Sequence, residues 1–480
     1  MPEGYDLVVV GGGAAGLGAA RAAAAAEART LLVSEGEIGG ECTFTGCVPS
    51  KTLIEAAACG TAFPGAMTAV RQAVATIAAT ETAGVLAADG IEVVRGHAVF
   101  TAPGELSVAA RVLRARRFVI ATGSWPAIPP MPGLAETRYL TSETIWDLTE
   151  RPARLAVLGG GAVGCELAQA FARLGSQVTI AEAARRLLPA AGPEASQVVD
   201  EVFRAEGIGV RTGVAIASVQ HEDNGIALVL ESGEKLGADR LLVATGRRPV
   251  TGHLGLEAAG VRLDDRGYIA TDRHLATTAP GIYAAGDVTG RMPFTHAAFA
   301  MGRIAARNAL RRRWSPPGAF DTSAIPWVVF TNPEVAQVGL TEVQAASHRA
   351  GPGGIPSDAR GRPGGHRRAR RRLRQDHRRP AAGPGKHWGR TGARGHRRGH
   401  PRRGDDPRAR AGHAHRPARP DRPRLPHLVA GHPAGRRPVL RPVRRPHRSP
   451  GRNPMSLWQS PRRRPAARLA RPRRPAGRKG

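Results

Sequence analysis

Short apolar runs, each ending in a glycine turn and followed by a longer stretch rich in alanine, recur along the chain up to about residue 345. Asp6 to Val10 is the first such run, and it enters Gly11-Gly12-Gly13-Ala14-Ala15-Gly16. An alanine-rich stretch to about Ala28 follows, then a second run, Thr30 to Ser34, ending at Glu35. Runs of this length with strand-type residues predict buried strands, and the longer stretch predicts a helix. The order returns further on. Arg154 to Leu158 predicts a strand, Gly159-Gly160-Gly161-Ala162-Val163-Gly164 a turn, Cys165 to Leu174 a helix, and Gln177 to Ala181 a strand ending at Glu182. Between the two units, Ile54 to about Ala88 reads as helical, and Val93 to Phe100, Leu106 to Ala110 and Val112 to Leu113 as strands. Two apolar strands end in Ala-Thr-Gly: Arg117 to Ala121 before Thr122-Gly123, and Leu241 to Val243 before Ala244-Thr245-Gly246. A strand then delivers Gly286-Asp287, Phe294 to Leu310 predicts a turn and helix around His296 and Ala297, and Ile325 to Phe330 and Val335 to Gly339 predict strands of a further domain.

The two glycine turns have a chemical reason. In G-x-G-x-x-G between strand and helix, the first glycine makes the tight turn, the second lets the backbone approach a pyrophosphate, and the third lets helix pack on strand. Gly11, Gly13 and Gly16 fill these places in the first unit, and Gly159, Gly161 and Gly164 in the second. The acid closing each second strand, Glu35 or Glu182, suits a ribose hydroxyl. Two such units predict two dinucleotides. Glu182 would repel a 2′-phosphate and favours NAD over NADP, while Arg185 and Arg186 close behind it keep NADP open.

Between these units lies Gly39-Gly40-Glu41-Cys42-Thr43-Phe44-Thr45-Gly46-Cys47-Val48-Pro49-Ser50-Lys51. One irregular turn entering a helix can bring Cys42 and Cys47 within disulfide range. Pro49 fits the first turn of that helix, Cys47 near its N-terminus gains thiolate character, and Lys51 four residues on can share its face. A redox pair is the favoured reading; a metal pair or two unrelated core cysteines stand beside it. Cys59 reads as a small core residue. Glu166 reads as an acid near the start of its helix, or as a partner for Lys51 if the two halves face each other.

Composition divides the chain. The formal net charge is +31, but residues 347–480 hold 40 of the 70 Lys and Arg with five Asp and no Glu, leaving 30 basic and 34 acidic residues before them. All four cysteines (Cys42, Cys47, Cys59, Cys165) precede that break. So few cysteines in so long a chain suit a reducing compartment, in which a disulfide is catalytic. Glu3, Asp6, the early glycines and Arg21 interrupt the N-terminal apolar run, so no signal peptide or membrane span is expected there, and a cytoplasmic location is.

With these motifs in order, residues 5 to about 345 resemble the class I pyridine nucleotide-disulfide oxidoreductases of the dihydrolipoyl dehydrogenase and mercuric reductase type. The resemblance implies an α/β protein with two Rossmann-like FAD/NAD(P)-binding domains and a truncated interface domain. Its parts would be residues 1–148 and 266–316 for the FAD-binding domain, 149–265 for the NAD(P)-binding domain, and 317–346 for the start of the interface domain. It implies FAD on the first unit with Asp287 at its ribityl chain, and Thr122, Gly123, Gly246, Gly286, His296 and Ala297 around the cofactors. Electrons would pass from NADH through FAD to a Cys42–Cys47 disulfide. Cys47 would face the flavin, Cys42 would be exposed for exchange, and Lys51 would stabilise charge on the reduced flavin and pair with Glu166. The acceptor would be a small-molecule or protein disulfide or thiol. Members of the family dimerise through the interface domain, which is not readable in this chain.

The stretch 347–480, rich in Arg, Pro and Gly, has almost no apolar periodicity and is expected to be disordered as written. Three readings compete. A basic RNA-binding tail on a vestigial flavin fold would want aromatic residues for stacking, and Trp388 and Trp458 are nearly all it has, so nucleic acid is not expected. A neutral extension is the second. The third, which we favour, is the interface domain in a shifted reading frame: Gly404 to Arg416 can be encoded so that a one-base shift reads EMIHEPALAMRT, and Arg424 to Arg436 permits HAYPTWSLAIQQAA in the same shift. Both strings resemble the family's C-terminal active-site segments, with Tyr where many members carry the catalytic His. Such a product would bind FAD with impaired turnover.

Overall fold

The computed structural model describes residues 4–222, 225–312, 314–342 and 344–345. The shifted-frame reading of 347–480 lies outside these residues. Five strands form an all-parallel sheet in the order Ile282–Ala284, Phe118–Ile120, Leu7–Val10, Thr30–Ser34, Ile91–Arg95. A second parallel sheet runs Gly209–Thr212, Gln177–Glu182, Arg154–Leu158, Arg240–Val243. Both are buried on two faces, which is why their strands read as unbroken apolar runs rather than alternating ones. Leu7 to Val10 and Thr30 to Val33 pair in register, and every residue of both strands is buried. These are doubly wound α/β layers.

The first sheet is covered on one face by the helices Ala14–Ala24 and Thr295–Leu310. They cross closely: a β-carbon on Gly302 would lie 1.9 Å from the Ala15 carbonyl oxygen. That approach explains why both helices are built from Ala and Gly rather than Leu. The other face carries an antiparallel meander, Ala98–Ala102, Glu105–Val108 and Arg111–Arg114, through a cluster that includes Phe100 against Phe118. The second sheet packs the helices Ala162–Arg173 and Pro193–Ala205 on one face and a second meander, Ile216–Glu222, Gly225–Leu230 and Lys235–Ala238, on the other. The antiparallel ribbon Ser124–Pro126 with Arg247–Pro249 pairs the two segments that follow the two Ala-Thr-Gly turns. A hairpin, Pro326–Val329 with Val335–Val338, is the last paired element described.

Several local expectations are corrected. The helix expected to reach Ala28 stops at Ala24, where the chain turns through Glu27 at φ 61°. The helical stretch 54–88 is three helices, Cys47–Ala58, Phe63–Ala78 and Ala83–Ala88, broken first by Gly60 at φ 70°. The strand expected from Val93 to Phe100 is two, divided at Gly96 (φ 149°), which sends the second into a different sheet. Cys59 is exposed at the C-terminal end of its helix, not in the core, and its thiol donates to Glu55 Oε1 at 3.5 Å.

Candidate active site

The two glycine turns are near-copies in their backbones. Gly11 has φ 113° and Gly159 φ 112°, and the residues before the helices, Gly13 and Gly161, have φ −79° and −76° with ψ −171° in both. A β-carbon at Gly11 would meet Ala121 O at 2.2 Å, and at Gly159 would meet Ala244 O at 2.4 Å. At Gly16 and Gly164 it would lie 1.8 and 2.0 Å from the Gly11 and Gly159 carbonyl oxygens. By contrast, Gly13 and Gly161 have no atom within 4 Å of that position. The outer glycines are therefore required by the fold, while the middle one leaves room beside a helix N-terminus, where a pyrophosphate is held by free amides. Both sites fit a dinucleotide on this ground.

The acids behind the turns differ. Glu182 Oε2 accepts from Gly160 N at 2.5 Å and its Oε1 from Ala184 N at 2.6 Å, so this carboxylate braces the second glycine turn as well as closing its strand. Glu35 is exposed and bonds His97 Nδ1 at 3.0 Å, and that carboxylate raises the His97 pKa. Thr122 donates to Val250 O at 2.7 Å. Gly123 and Gly246 take φ 79° and 140°, and Gly286, at φ 82°, lies against Ala15.

The cysteine loop is more ordered than one irregular turn. Cys42 sits in a short helix, Gly40–Phe44, and Cys47 opens the next, Cys47–Ala58; Thr45 and Gly46 break between them. Trp146 Nε1 donates to Thr45 O at 2.9 Å and pins that break. A β-carbon on Gly40 would lie 2.8 Å from Gly13 Cα, so the loop rests on the first glycine turn. Both cysteines are thiols here, and they are hydrogen-bonded to one another. That bond from Cys42, together with the Thr295 hydroxyl at 3.3 Å and the nearby Lys51 ammonium, lowers the Cys47 pKa to about 6 against the opposing effect of burial. The same bond, with burial, drives the Cys42 thiol well above its usual range. The two sulfurs therefore differ in acidity, Cys47 being the stronger acid and Cys42 the weaker. Cys42, within the short helix, is half-buried, and Cys47, which begins the next helix beside Thr295, is exposed in the protein chain.

Lys51 and Glu166 meet, with Nζ 2.7 Å from Oε2. The pair joins the cysteine helix to the helix Ala162–Arg173. Glu166 is 7% exposed and its second oxygen accepts from Phe330 N at 2.9 Å, while Lys51 lies 4.6 Å from the centre of the Phe330 ring. His296 is not gathered at the cysteines. Its Nε2 is 2.6 Å from Pro326 O, and its ring stacks on Phe294. Ala297, next along, is fully buried in the first turn of its helix, and the neighbour that reaches Cys47 is Thr295.

A second cluster was not anticipated from the sequence. Arg247, after the second Ala-Thr-Gly, clamps Glu41 with both arms, one at 2.7 Å. Its Nε donates to Ser124 Oγ at 2.7 Å, and Ser124 donates to Asp287 Oδ2 at 2.8 Å. Burial pushes the Glu41 carboxyl up to about 7 against the pull of Arg247. Four separate segments thus converge on one polar knot that includes Asp287. The signals were present but unspecific: an acid beside Cys42, an arginine after Gly246, a threonine before His296, an aromatic residue ending a strand.

A family profile described as "Pyridine nucleotide-disulphide oxidoreductase" matches residues 5–302. The chain is 38% identical over 367 residues to a mercuric reductase of Streptomyces lividans, covering 71% of this chain and 77% of that protein. It is 38% identical over 387 residues to a dihydrolipoyl dehydrogenase of Thermus scotoductus, covering 75% and 81%. Among solved structures it is similar to the HOCl-induced flavoprotein disulfide reductase RclA from Escherichia coli, at 33% identity and TM-score 0.67, covering 72% of this chain and 79% of that one. LpdA from Mycobacterium tuberculosis is similar at 30% identity and TM-score 0.65, covering 71% and 80%. Two dinucleotide cradles, a cysteine pair between them and a profile matching more than half of the sequence lead to one conclusion: the chain belongs to the pyridine nucleotide-disulphide oxidoreductase family, whose enzymes use FAD to pass electrons from NAD(P)H to disulfide and thiol partners.

Proposed function

We propose that Cys42 and Cys47 are the redox pair of an NADH-favouring, FAD-dependent disulfide reductase acting on a small-molecule or protein disulfide. Two free cysteines in one loop that rests on the first glycine turn, with Thr295 against Cys47 and Lys51 on the same helix, carry this reading. Residues 1–148 and 266–316 would form the FAD-binding domain, with Gly11, Gly13, Gly16, Glu35 and Asp287 holding the group. Residues 149–265 would hold the nicotinamide dinucleotide, through Gly159, Gly161, Gly164 and Glu182. Residues 317–346 would begin a third domain. Bound FAD supplies the two-electron carrier between NAD(P)H and the cysteines.

The chain's own residues then account for the thiol chemistry. Lys51 and Thr295 hold negative charge on Cys47, and Glu166 fixes Lys51. Once its proton has left, Cys42 attacks a substrate disulfide, forming a mixed disulfide and releasing one thiolate. Cys47 attacks the Cys42 sulfur, forming the internal disulfide and releasing the second thiolate. The two electrons of the pair leave with the two thiolates, which take up the proton lost by Cys42 and one from water. Among the described residues no helix is long and apolar enough to cross a membrane.

The mercuric reductases among the relatives take mercuric ion, as their name states. A disulfide is favoured here because Cys42 and Cys47 alone of the four cysteines share a site; Cys59 and Cys165 lie elsewhere, exposed at a helix end and buried. Turnover of NADH with an aromatic disulfide tests the proposal. The native protein should oxidise NADH in step with thiol release, while Cys42→Ser and Cys47→Ser should each lose more than a hundredfold. Equal turnover by either variant would overturn the assignment.

A further inference from the structure

The hairpin after residue 325 does more than extend the fold. Its backbone is gripped by two side chains of the helix Ala162–Arg173: Glu166 accepts from Phe330 N at 2.9 Å, and Gln169 both accepts from Asn332 N at 2.7 Å and donates to Asn332 O at 2.9 Å. These bonds fix where the Phe330 ring lies. The ring faces the Lys51 ammonium, 4.6 Å from its centre, on a lysine whose side chain still has 34% of its surface exposed. A long, partly hydrated lysine held by one carboxylate oxygen keeps several rotamers; a ring against its ammonium removes some of them. Phe330 also touches the other half of the pair through its amide. The same side of the site is closed by Trp327 stacked on Phe294 (9° between ring planes), next to His296 on Pro326 O.

We propose that Phe330 is a positioning residue for the redox pair, setting through its ring and its amide where the Lys51 ammonium stands relative to the Cys47 sulfur. The inference rests on Cys47 being the thiolate of the proposed function. On this account the hairpin Pro326–Val329 with Val335–Val338 belongs to the redox site as well as to the third domain.

The groups facing Cys47 are few: Cys42 from the preceding short helix, Lys51 on its own helix, Glu166 from the helix beyond, Glu41 near the loop, and the uncharged Thr295 hydroxyl. Of these only the Lys51–Glu166 pair touches Phe330. Removal of the ring should therefore act on Cys47 through Lys51. Without the ring the ammonium spends less time against the thiolate; a rise of roughly half a pKa unit at Cys47 is about 0.7 kcal/mol of lost differential interaction, or about a threefold loss of thiolate on the acid side of neutrality.

The test is the pH dependence of iodoacetamide alkylation of the NADH-reduced, FAD-loaded protein, with fragment-ion mass spectrometry assigning the modified sulfur. Cys59, exposed at the end of the same helix, is the internal reference. Phe330→Leu should raise the Cys47 midpoint by about half a unit and leave the Cys59 profile unchanged, and Phe330→Tyr should restore the native midpoint. Should Phe330→Leu bind FAD normally and keep the native Cys47 midpoint, or should Phe330→Tyr behave like Phe330→Leu, the positioning role is overturned. If Phe330→Leu fails to retain FAD, the same measurement on Phe330→Trp decides: a native midpoint upholds the role, and a raised one overturns it. Failure of the wider reading looks different, since the native protein would then show no acid-shifted Cys47 at all.

Discussion

Replacing Glu166 separates two effects that the Lys51 pairing combines. The carboxylate is 7% exposed and bonds Lys51 Nζ at 2.7 Å and Phe330 N at 2.9 Å. In Glu166→Ala both partners are orphaned. Breaking a fully buried ion pair by removing one member costs about 3–5 kcal/mol. Lys51 keeps 34% of its side chain in water and can rehydrate, so its share falls to about 1–2 kcal/mol. The Phe330 amide, left without an acceptor, adds about 1 kcal/mol. The sum is a loss of about 2–3 kcal/mol. Glu166→Gln keeps a carbonyl oxygen for the amide and a neutral acceptor for Lys51, and should cost about 1 kcal/mol. Urea unfolding of the FAD-loaded proteins, compared at constant m value, reads these differences. The second effect has the opposite sign. Glu166 opposes the thiolate on Cys47, so Glu166→Gln, although less stable, should move the Cys47 alkylation midpoint below about 6. Equal stability of Ala and Gln variants, or a Cys47 midpoint that rises in Glu166→Gln, would refute this account of the pair.

Other expectations rest on the same geometry. Gly13→Ala should fold, since its β-carbon meets open space, but should weaken FAD binding by tenfold or more, whereas Gly16→Ala should not yield folded protein, because its β-carbon would fall 1.8 Å from a carbonyl oxygen; flavin fluorescence titration and circular dichroism separate the two. Gly161→Ala should leave FAD content normal and raise the NADH dissociation constant, measured by quenching of protein fluorescence. In the reduced protein the Cys47 pKa is depressed from 9.0 to about 6, so its contribution to stability is full above pH 9 and is lost as pH falls through 6; calorimetry of native protein against Cys47→Ser should show the difference shrinking over that window. Arg247→Met should push the Glu41 carboxyl above about 7 and loosen the cysteine loop, which hydrogen exchange over residues 40–46 would register.

How far the chain could be read in advance depended on the kind of signal. The two parallel sheets were legible because buried parallel strands are written as continuous apolar runs, and because Gly11, Gly16, Gly159 and Gly164 are positions where a side chain would collide with backbone. The Lys51–Glu166 pair was legible as one of two options for an acid near the start of a helix. What sequence did not give was the polar knot around Arg247. Arg247 and Glu41 are 206 residues apart, and nothing local to either names the other. Phe330 read as the end of a strand, since nothing local to it names the Lys51 ammonium and Glu166 carboxylate that its ring and amide face. Cys59 misled for a related reason: cysteine is usually buried, and only the end of the helix at Gly60 puts this one in solvent. Periodicity reports what the chain does to itself locally, and polar knots form across topology.

Long-wavelength absorbance on anaerobic addition of NADH tests the central claim most directly. The native protein should be yellow and should develop a thiolate–flavin band; Cys42→Ser should show that band already before NADH is added, and Cys47→Ser should be yellow and lack it both before and after. A band of native strength in Cys47→Ser would contradict the account.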